Sequence, residues 1–117
     1  MCDRKFGAKQ ALVLCLFTIT IGSTYAQDVD FRTAVIAKQN ACLGCHAVNK
    51  KIVGPGFQEV AKKYANDPSA SELLKNKIRH GGAGSWGVVP MPANAKLSDA
   101  DLSLLVAWIL RGAPAGN

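Results

Sequence analysis

The sequence contains few residues of the types that hold metals, cofactors or disulfides. Its 117 residues include four cysteines, two histidines and two methionines. Cys2 and Cys15 fall in an N-terminal segment with the pattern of a secretory leader, so only Cys42 and Cys45 remain for the folded domain. One cysteine pair cannot supply the disulfide framework of many small exported domains. A domain this short needs some supplement to its core, and a cofactor is the economical alternative.

The N-terminal apolar run is too short to cross a membrane. It extends from Ala11 to Ile21, which is 11 residues, whereas a transmembrane helix needs about 20. A basic start precedes the run and a small residue, Ala26, ends the segment, which is typical of a secretory signal peptide. We expect residues 1–26 to be a cleaved leader and residues 27–117 to be one exported, periplasmic domain. The alternative is an uncleaved amphipathic anchor.

Acidic residues are also scarce, and the excess of positive charge is mild. The leader contains three of the 14 basic residues and one of the eight acidic ones, which leaves 11 basic and seven acidic residues, a net charge of +4. The basic residues do not cluster with aromatic ones, so the composition does not favour nucleic-acid binding. A mild positive excess fits electrostatic steering toward an acidic partner.

Helical periodicity dominates the rest of the chain, and no alternating strand pattern is present. The third of four predicted helices begins with Asp67 as cap and Pro68 in the first helical position, and the fourth has a Ser98–Asp101 pair resembling a capping box. The pattern predicts an all-α domain. The predicted helices run from about 28 to 40, 57 to 64, 67 to 78, and 98 to the stop at Gly112.

A long loop separates the last two predicted helices. It covers 17 residues from Gly81 to Leu97 and contains Trp86 and a methionine framed by prolines, Pro90-Met91-Pro92. Loops longer than about 12–15 residues in a compact domain are usually functional or disordered. The stiffening prolines favour a functional loop.

The segment Cys42-Leu43-Gly44-Cys45-His46 has the spacing of a covalent haem attachment motif. Two thiols three residues apart can each form a thioether with a porphyrin vinyl group, and the following histidine can reach the iron. We expect Gly44 to let the backbone lie close to the ring. Three alternatives stay open: a zinc site with His80 as fourth ligand, a thioredoxin-like dithiol, and a structural disulfide.

The sixth iron ligand decides between electron transfer and reactivity at an open iron. Met91, in the long loop, is our predicted ligand, and His80 is the competing one. A His/Met pair would raise the reduction potential. The alternative function is a small haem peroxidase or a gas-binding haem protein in which Met91 is displaceable.

Three stretches closely resemble the short bacterial class I cytochromes c of the cytochrome c-551 type. They are "CLGCHAVNKKIVGPGFQEVAKKYA", "KIRHGGAGSWGVVPMPAN" and "LSDADLSLLVAWIL", and together they cover nearly all of the expected mature chain. The resemblance implies a class I cytochrome c fold of about four helices around one covalent haem c. It implies thioethers at Cys42 and Cys45, with His46 and Met91 as axial ligands.

Further roles follow from the same resemblance. Pro55 matches the proline whose carbonyl accepts a hydrogen bond from the ligand imidazole, and Asn94 matches the asparagine whose amide approaches the methionine sulfur. Trp86 matches the tryptophan that hydrogen-bonds a haem propionate, and Lys77 falls where an arginine often lies near the propionates. Ala37 departs from the family, which often has an aromatic residue there.

The resemblance implies a monomeric electron carrier, not an enzyme, that docks briefly with larger redox proteins through an exposed haem edge. Its implied donor is a quinol-oxidising complex, and its implied acceptor is a terminal oxidase or reductase such as nitrite reductase. The expected docking patch has an apolar centre and a rim of lysines. The centre consists of Leu43, Ile52, Val53, Val88, Val89 and Ala93, and the rim of Lys38, Lys50, Lys51 and Lys96.

Overall fold

The computed structural model describes residues 22–116, and this part of the chain is helical. Strand-type pairing within these residues is limited to two isolated antiparallel bridges, His46 with Lys51 and Gly82 with Met91. The all-α prediction is therefore confirmed. The helices are α1 (Gly22–Gln39), α2 (Phe57–Tyr64), α3 (Ala70–His80) and α4 (Asp99–Leu110), with a 3-10 turn at Cys42–Gly44 between α1 and α2.

Most of the predicted leader lies outside the described residues. Only its last five positions, 22–26, belong to the described part, and they form the beginning of α1. The expected cleavage point after Ala26 therefore falls inside a helix, and the leader stays a prediction. None of the helices in residues 22–116 is long and apolar enough to cross a membrane.

Helix α4 is the centre of the core and packs against each of the other three helices. Its apolar residues at the helical spacing i, i+3, i+4 and i+7 are buried: Leu102, Leu105, Val106 and Ile109. Trp108 is also buried, and its ring packs edge-on against Phe57 of α2 at a centroid distance of 5.5 Å. The sequence predicts core packing of Trp108 against the first helix, whereas the ring contact observed is with the start of α2.

Both ends of α4 have hydrogen-bonded caps. At the N-terminus, the Ser98 hydroxyl accepts a hydrogen bond from Asp101 N at 3.1 Å. At the C-terminus, Gly112 has a φ of +85°, and the amides of Gly112 and Ala113 donate to the carbonyls of Ile109 and Trp108. This is a Schellman motif, for which glycine is suited because it has no Cβ to clash in the left-handed region.

The start of α3 differs from the prediction. The helix begins at Ala70, not at Pro68. The Asp67 carboxylate accepts hydrogen bonds from both Ser69 Oγ, at 2.6 Å, and Ser69 N, at 2.8 Å, which forms a separate turn before the helix. These side-chain and backbone hydrogen bonds lower the pKa of Asp67 from its ordinary value. The acidic residue therefore organises the approach to α3 and is not its first cap.

The Ser98 cap generates a stability prediction. Ser98→Ala removes the acceptor for Asp101 N, and we expect the free energy of unfolding to fall by about 1 kcal/mol. Ser103→Ala, at an exposed position inside α4, is the matched control and should cost less. Denaturant unfolding followed by far-ultraviolet circular dichroism measures both. Equal losses would show that the cap contributes nothing of its own.

Candidate functional site

A cavity of about 580 Å³ lies between the Cys42–His46 turn, the start of α2, and the loop after α3. Its volume is within the range of small-molecule and cofactor sites. Core residues of α3 and α4, including Leu74 and Ile109, form its apolar floor. The structure brings all eight predicted site residues to its lining: Cys42, Cys45, His46, Pro55, Lys77, Trp86, Met91 and Asn94.

A tight turn places the two thiols on one side of the cavity. It starts at Ala41, whose φ is +59°, and His46 N donates to the Cys42 carbonyl at 3.0 Å. Both thiols are free and half-buried. Burial raises the pKa of the Cys42 thiol; a hydrogen bond opposes this and the nearby Cys45 adds to it. The thiols are thus available for thioether formation from the cavity side.

Gly44 lies away from the cavity lining. It is absent from the cavity lining, and a Cβ built on it would meet no protein atom within 4 Å. The two residues between the cysteines lie on the outer side of the turn. The cavity lining gives no support to the expectation that Gly44 allows close backbone approach to the cofactor, and that expectation stays a prediction.

The His46 imidazole has a fixed tautomer. Its Nδ1 lies 2.7 Å from the Pro55 carbonyl oxygen. A carbonyl only accepts, so Nδ1 carries the proton and donates it, which leaves the Nε2 lone pair free for a metal. Such a hydrogen bond orients a ligating imidazole and increases its basicity. This is the contact that the resemblance implied for Pro55.

Two further residues hold the same ring, and sequence analysis missed them both. Phe57 stacks with His46, with ring centroids 5.3 Å apart and an interplanar angle of 13°. A Cβ built on Gly54 would lie 2.4 Å from His46 Cε1, so only glycine leaves room for the ring. Their proximity to Pro55 was the available signal, since one short segment supplies all three contacts.

Residues 81–94 are here called the methionine loop, and residues 82–94 of it form a second wall of the cavity. Gly82 and Met91 exchange two backbone hydrogen bonds, of 2.9 and 3.1 Å, which close the base of the loop. Gly81 has a φ of +69°, and a Cβ on it would lie 2.4 Å from the Met91 carbonyl oxygen. Asn94 N donates to the Ile78 carbonyl at 2.8 Å. The Met91 backbone is therefore held beside α3, and its side chain packs against the core.

The competing ligand has a different environment. His80 is exposed and absent from the cavity lining. Its Nδ1 lies 3.0 Å from the Asn76 side-chain oxygen and 3.1 Å from the Asn76 carbonyl. Within residues 22–116, no three His, Cys, Asp or Glu side chains lie close enough together to hold a metal ion. The zinc alternative required Cys42, Cys45 and both histidines at one point, and the structure does not bring them together.

Asn94 has a partner that the sequence did not indicate. Its Nδ2 donates to Asn40 Oδ1 at 3.4 Å, and Asn40 Nδ2 in turn donates to the Ile36 carbonyl at 2.9 Å. Asn40 therefore connects the end of α1 to the methionine loop. No local pattern could reveal this pair, because the two residues are 54 positions apart. The contact of the Asn94 amide with the Met91 sulfur stays a prediction.

These residues fit a covalently attached haem. Two thiols, an imidazole with a free Nε2 and a soft thioether line the same cavity, and its surface is mainly apolar. Such a site defines a small all-α protein that carries a c-type haem.

Comparison with known proteins agrees with this class. The cytochrome c family model matches residues 32–113. Cytochrome c-552 of Nitrosomonas europaea is 47% identical over 87 residues, covering 74% of this chain and 80% of that protein. Cytochrome c-551 of Allochromatium vinosum is 47% identical over 76 residues, covering 65% and 81%. The crystal structure of wild-type Nitrosomonas europaea cytochrome c552 superposes with a TM-score of 0.65 at 46% identity, covering 68% and 98%.

The chain belongs to the cytochrome c family. It has the class I cytochrome c fold, carries covalently attached haem c with its iron, and is a small electron carrier and not an enzyme. The resemblance to the c-551 type is confirmed.

The contact of Gly54 with the imidazole generates a second prediction. Gly54→Ala places a methyl group against His46 Cε1, and the Pro55 hydrogen bond restrains the ring from moving away. We expect a lower yield of haem-loaded protein and an altered absorption spectrum in the protein that forms.

Gly44→Ala is the matched control for this substitution, because its added Cβ meets no protein atom within 4 Å. It should leave both the yield and the spectrum unchanged. A Gly54→Ala protein with the wild-type spectrum and yield would contradict the positioning role of Gly54.

Proposed function

We propose that this protein is a periplasmic electron carrier whose haem iron is ligated by His46 and Met91. Cys42 and Cys45 form the two thioethers, and Pro55 orients the imidazole. Trp86 and Lys77 contact the propionates, and the Asn94 amide approaches the Met91 sulfur. The single observation that carries the proposal is that Met91 lines the same cavity as His46 and the two thiols, with its backbone closed onto Gly82.

The protein contributes to outer-sphere electron transfer by holding the proposed iron ligands rigidly. The bound haem iron supplies the one-electron change, and the chain keeps the ligand geometry similar in both oxidation states. His46 is held by Pro55, Gly54 and Phe57, and Phe57 in turn packs on Trp108 in the core. Such preorganisation reduces the rearrangement needed when the charge changes.

The expected docking patch is exposed as required for brief contact with a partner. Val88 is 92% exposed, Val89 61%, and Ile52 and Val53 about half. Leu43, Ala93 and the four rim lysines are exposed as well. Val53, Val88 and Val89 also line the cavity, so the apolar surface is continuous with the cofactor site. Complementary charge around an apolar centre favours fast and reversible association.

The proposed partners are a quinol-oxidising complex as donor and a terminal reductase or oxidase as acceptor, with nitrite reductase as one candidate. The N-terminal leader pattern supports export, with residues 27–117 as the mature, monomeric carrier. This cellular role requires only a carrier that diffuses between larger redox proteins.

Spectroscopy and mass spectrometry test the proposal directly. After denaturation, the mature chain should keep the full added mass of haem and begin at Gln27. The oxidised protein should show the weak long-wavelength band of methionine–iron bonding, and Met91→Ala should lose it. Carbon monoxide should bind the reduced wild type slowly and the Met91→Ala variant readily. Ready binding to the wild type at neutral pH would instead indicate an open or displaceable ligand.

Charge reversal tests the docking patch. Lys51 is exposed and lines the cavity, so we expect Lys51→Glu to slow electron exchange with an acidic redox partner on the order of two- to tenfold at low salt. High salt should reduce the difference. Lys62→Glu makes the same charge change at an exposed lysine outside the cavity lining. Equal slowing in both variants would indicate an effect of net charge and not of the patch.

A further inference from the structure

Lys63, near the end of α2, makes three contacts that are unusual for an exposed lysine. Its Nζ donates to the Ser85 carbonyl at 2.8 Å. The same nitrogen lies 4.4 Å from the centroid of the Trp86 ring and 5.5 Å from that of Tyr64. Both distances are within the range of cation–π interactions. The ammonium group is therefore held by one carbonyl and two aromatic rings.

These contacts join α2 to the middle of the methionine loop. The base of the loop is closed by the Gly82–Met91 pair, and Gly84 N donates to the Gly87 carbonyl at 2.8 Å within it. Gly82, Gly84 and Gly87 all have φ above +100°, and glycines give the backbone many alternative conformations. Ser85 and Trp86 lie between the last two of these glycines. Lys63 thus attaches the most adaptable part of the loop to a rigid helix.

We infer that Lys63 is a positioning residue for the methionine loop: through Ser85 and Trp86 it holds the cavity wall that presents Met91. Lys63 itself is absent from the cavity lining, whereas Ser85, Trp86 and Met91 all belong to it. The residue acts through the loop and touches neither the cavity nor the axial ligands. The inference rests on the proposed ligation by Met91.

A second effect follows from the charge of Lys63. Its ammonium lies beside a residue of the cavity wall, and a nearby positive charge favours the reduced iron, which has one positive charge less. Removing the charge should lower the reduction potential. This effect is partly screened by solvent because the side chain is exposed. The effect of Lys63 on the position of the loop and the effect of its charge on the reduction potential therefore need separate controls.

The test compares haem-loaded wild type with Lys63→Met, Lys63→Arg and Lys62→Met. Lys63→Met keeps the length of the side chain and removes the hydrogen bond and the charge. Lys63→Arg keeps a cation that can bond Ser85 and stack on Trp86. Lys62→Met removes one charge from the neighbouring, exposed position on α2. Reduction potential, carbon monoxide association rate and hydrogen exchange of the indole N–H groups are measured for each protein.

For Lys63→Met we expect severalfold faster binding of carbon monoxide to the reduced protein and severalfold faster exchange of the Trp86 indole proton. Exchange at Trp108, whose Nε1 donates to the Pro114 carbonyl at 2.9 Å, should not change. Lys63→Arg should match wild type in reduction potential, carbon monoxide association rate and exchange of the Trp86 indole proton. Lys62→Met should reproduce at most the shift in potential.

Two outcomes would overturn the inference. Lys63→Met could bind carbon monoxide and exchange its Trp86 proton as slowly as wild type, or Lys62→Met could match Lys63→Met in every measurement. Both are distinct from failure of the proposed function. If the proposed function itself failed, the wild-type protein would bind carbon monoxide readily and lack the methionine–iron band.

Discussion

The orientation of one imidazole is the constraint on which the rest of the site depends. His46 follows the second cysteine directly, so its ring must turn toward the cavity while both thiols face the same space. The Pro55 carbonyl fixes the ring by accepting a hydrogen bond from Nδ1–H, and Phe57 stacks with the ring. Gly54 has no side chain in the space that the ring occupies. Phe57 is also a core residue in contact with Trp108. The proposed iron ligand is therefore coupled to the packing of α2 against α4.

The methionine loop is built on a different principle. His46 is held by a short segment that runs directly into a helix, whereas Met91 lies in a glycine-rich loop fixed at separate points. The base is closed at Gly82, Asn94 bonds both α3 and Asn40, and Lys63 attaches the middle to α2. A loop attached by a few contacts can present a ligand firmly and still have an apolar, exposed tip at Val88 and Val89.

The two walls explain how so small a domain serves electron exchange. Its apolar interior is limited, and the cavity occupies the space between α4 and the loops. A covalent cofactor completes the packing that a chain of this size cannot provide alone. Tight packing around the ligands limits reorganisation, and the exposed edge permits encounter with a partner. The residues that line the cavity therefore both restrain the ligands and leave an edge of the site accessible to a partner protein.

Sequence reasoning was most successful where the signal was local. The spacing of Cys42, Cys45 and His46 indicated the attachment chemistry, and α2 was predicted with the observed bounds. The predicted start of α3 was wrong because Asp67 accepts hydrogen bonds from Ser69 and forms a separate turn before the helix. Helix periodicity identified the buried stripe of α4 because each apolar position recurs on one face.

The sequence by itself determined the candidate chemistry of this protein: the residues predicted to attach haem, the helices around them, and the candidate ligand in a long loop. Only the tertiary structure decided the partners of those residues. Asn40 meets Asn94, Lys63 meets Trp86, and His80 lies outside the cavity that Met91 lines. The physical reason is the separation along the chain of the residues that interact. Attachment and helix formation depend on residues a few positions apart, whereas these contacts form only after the helices have packed.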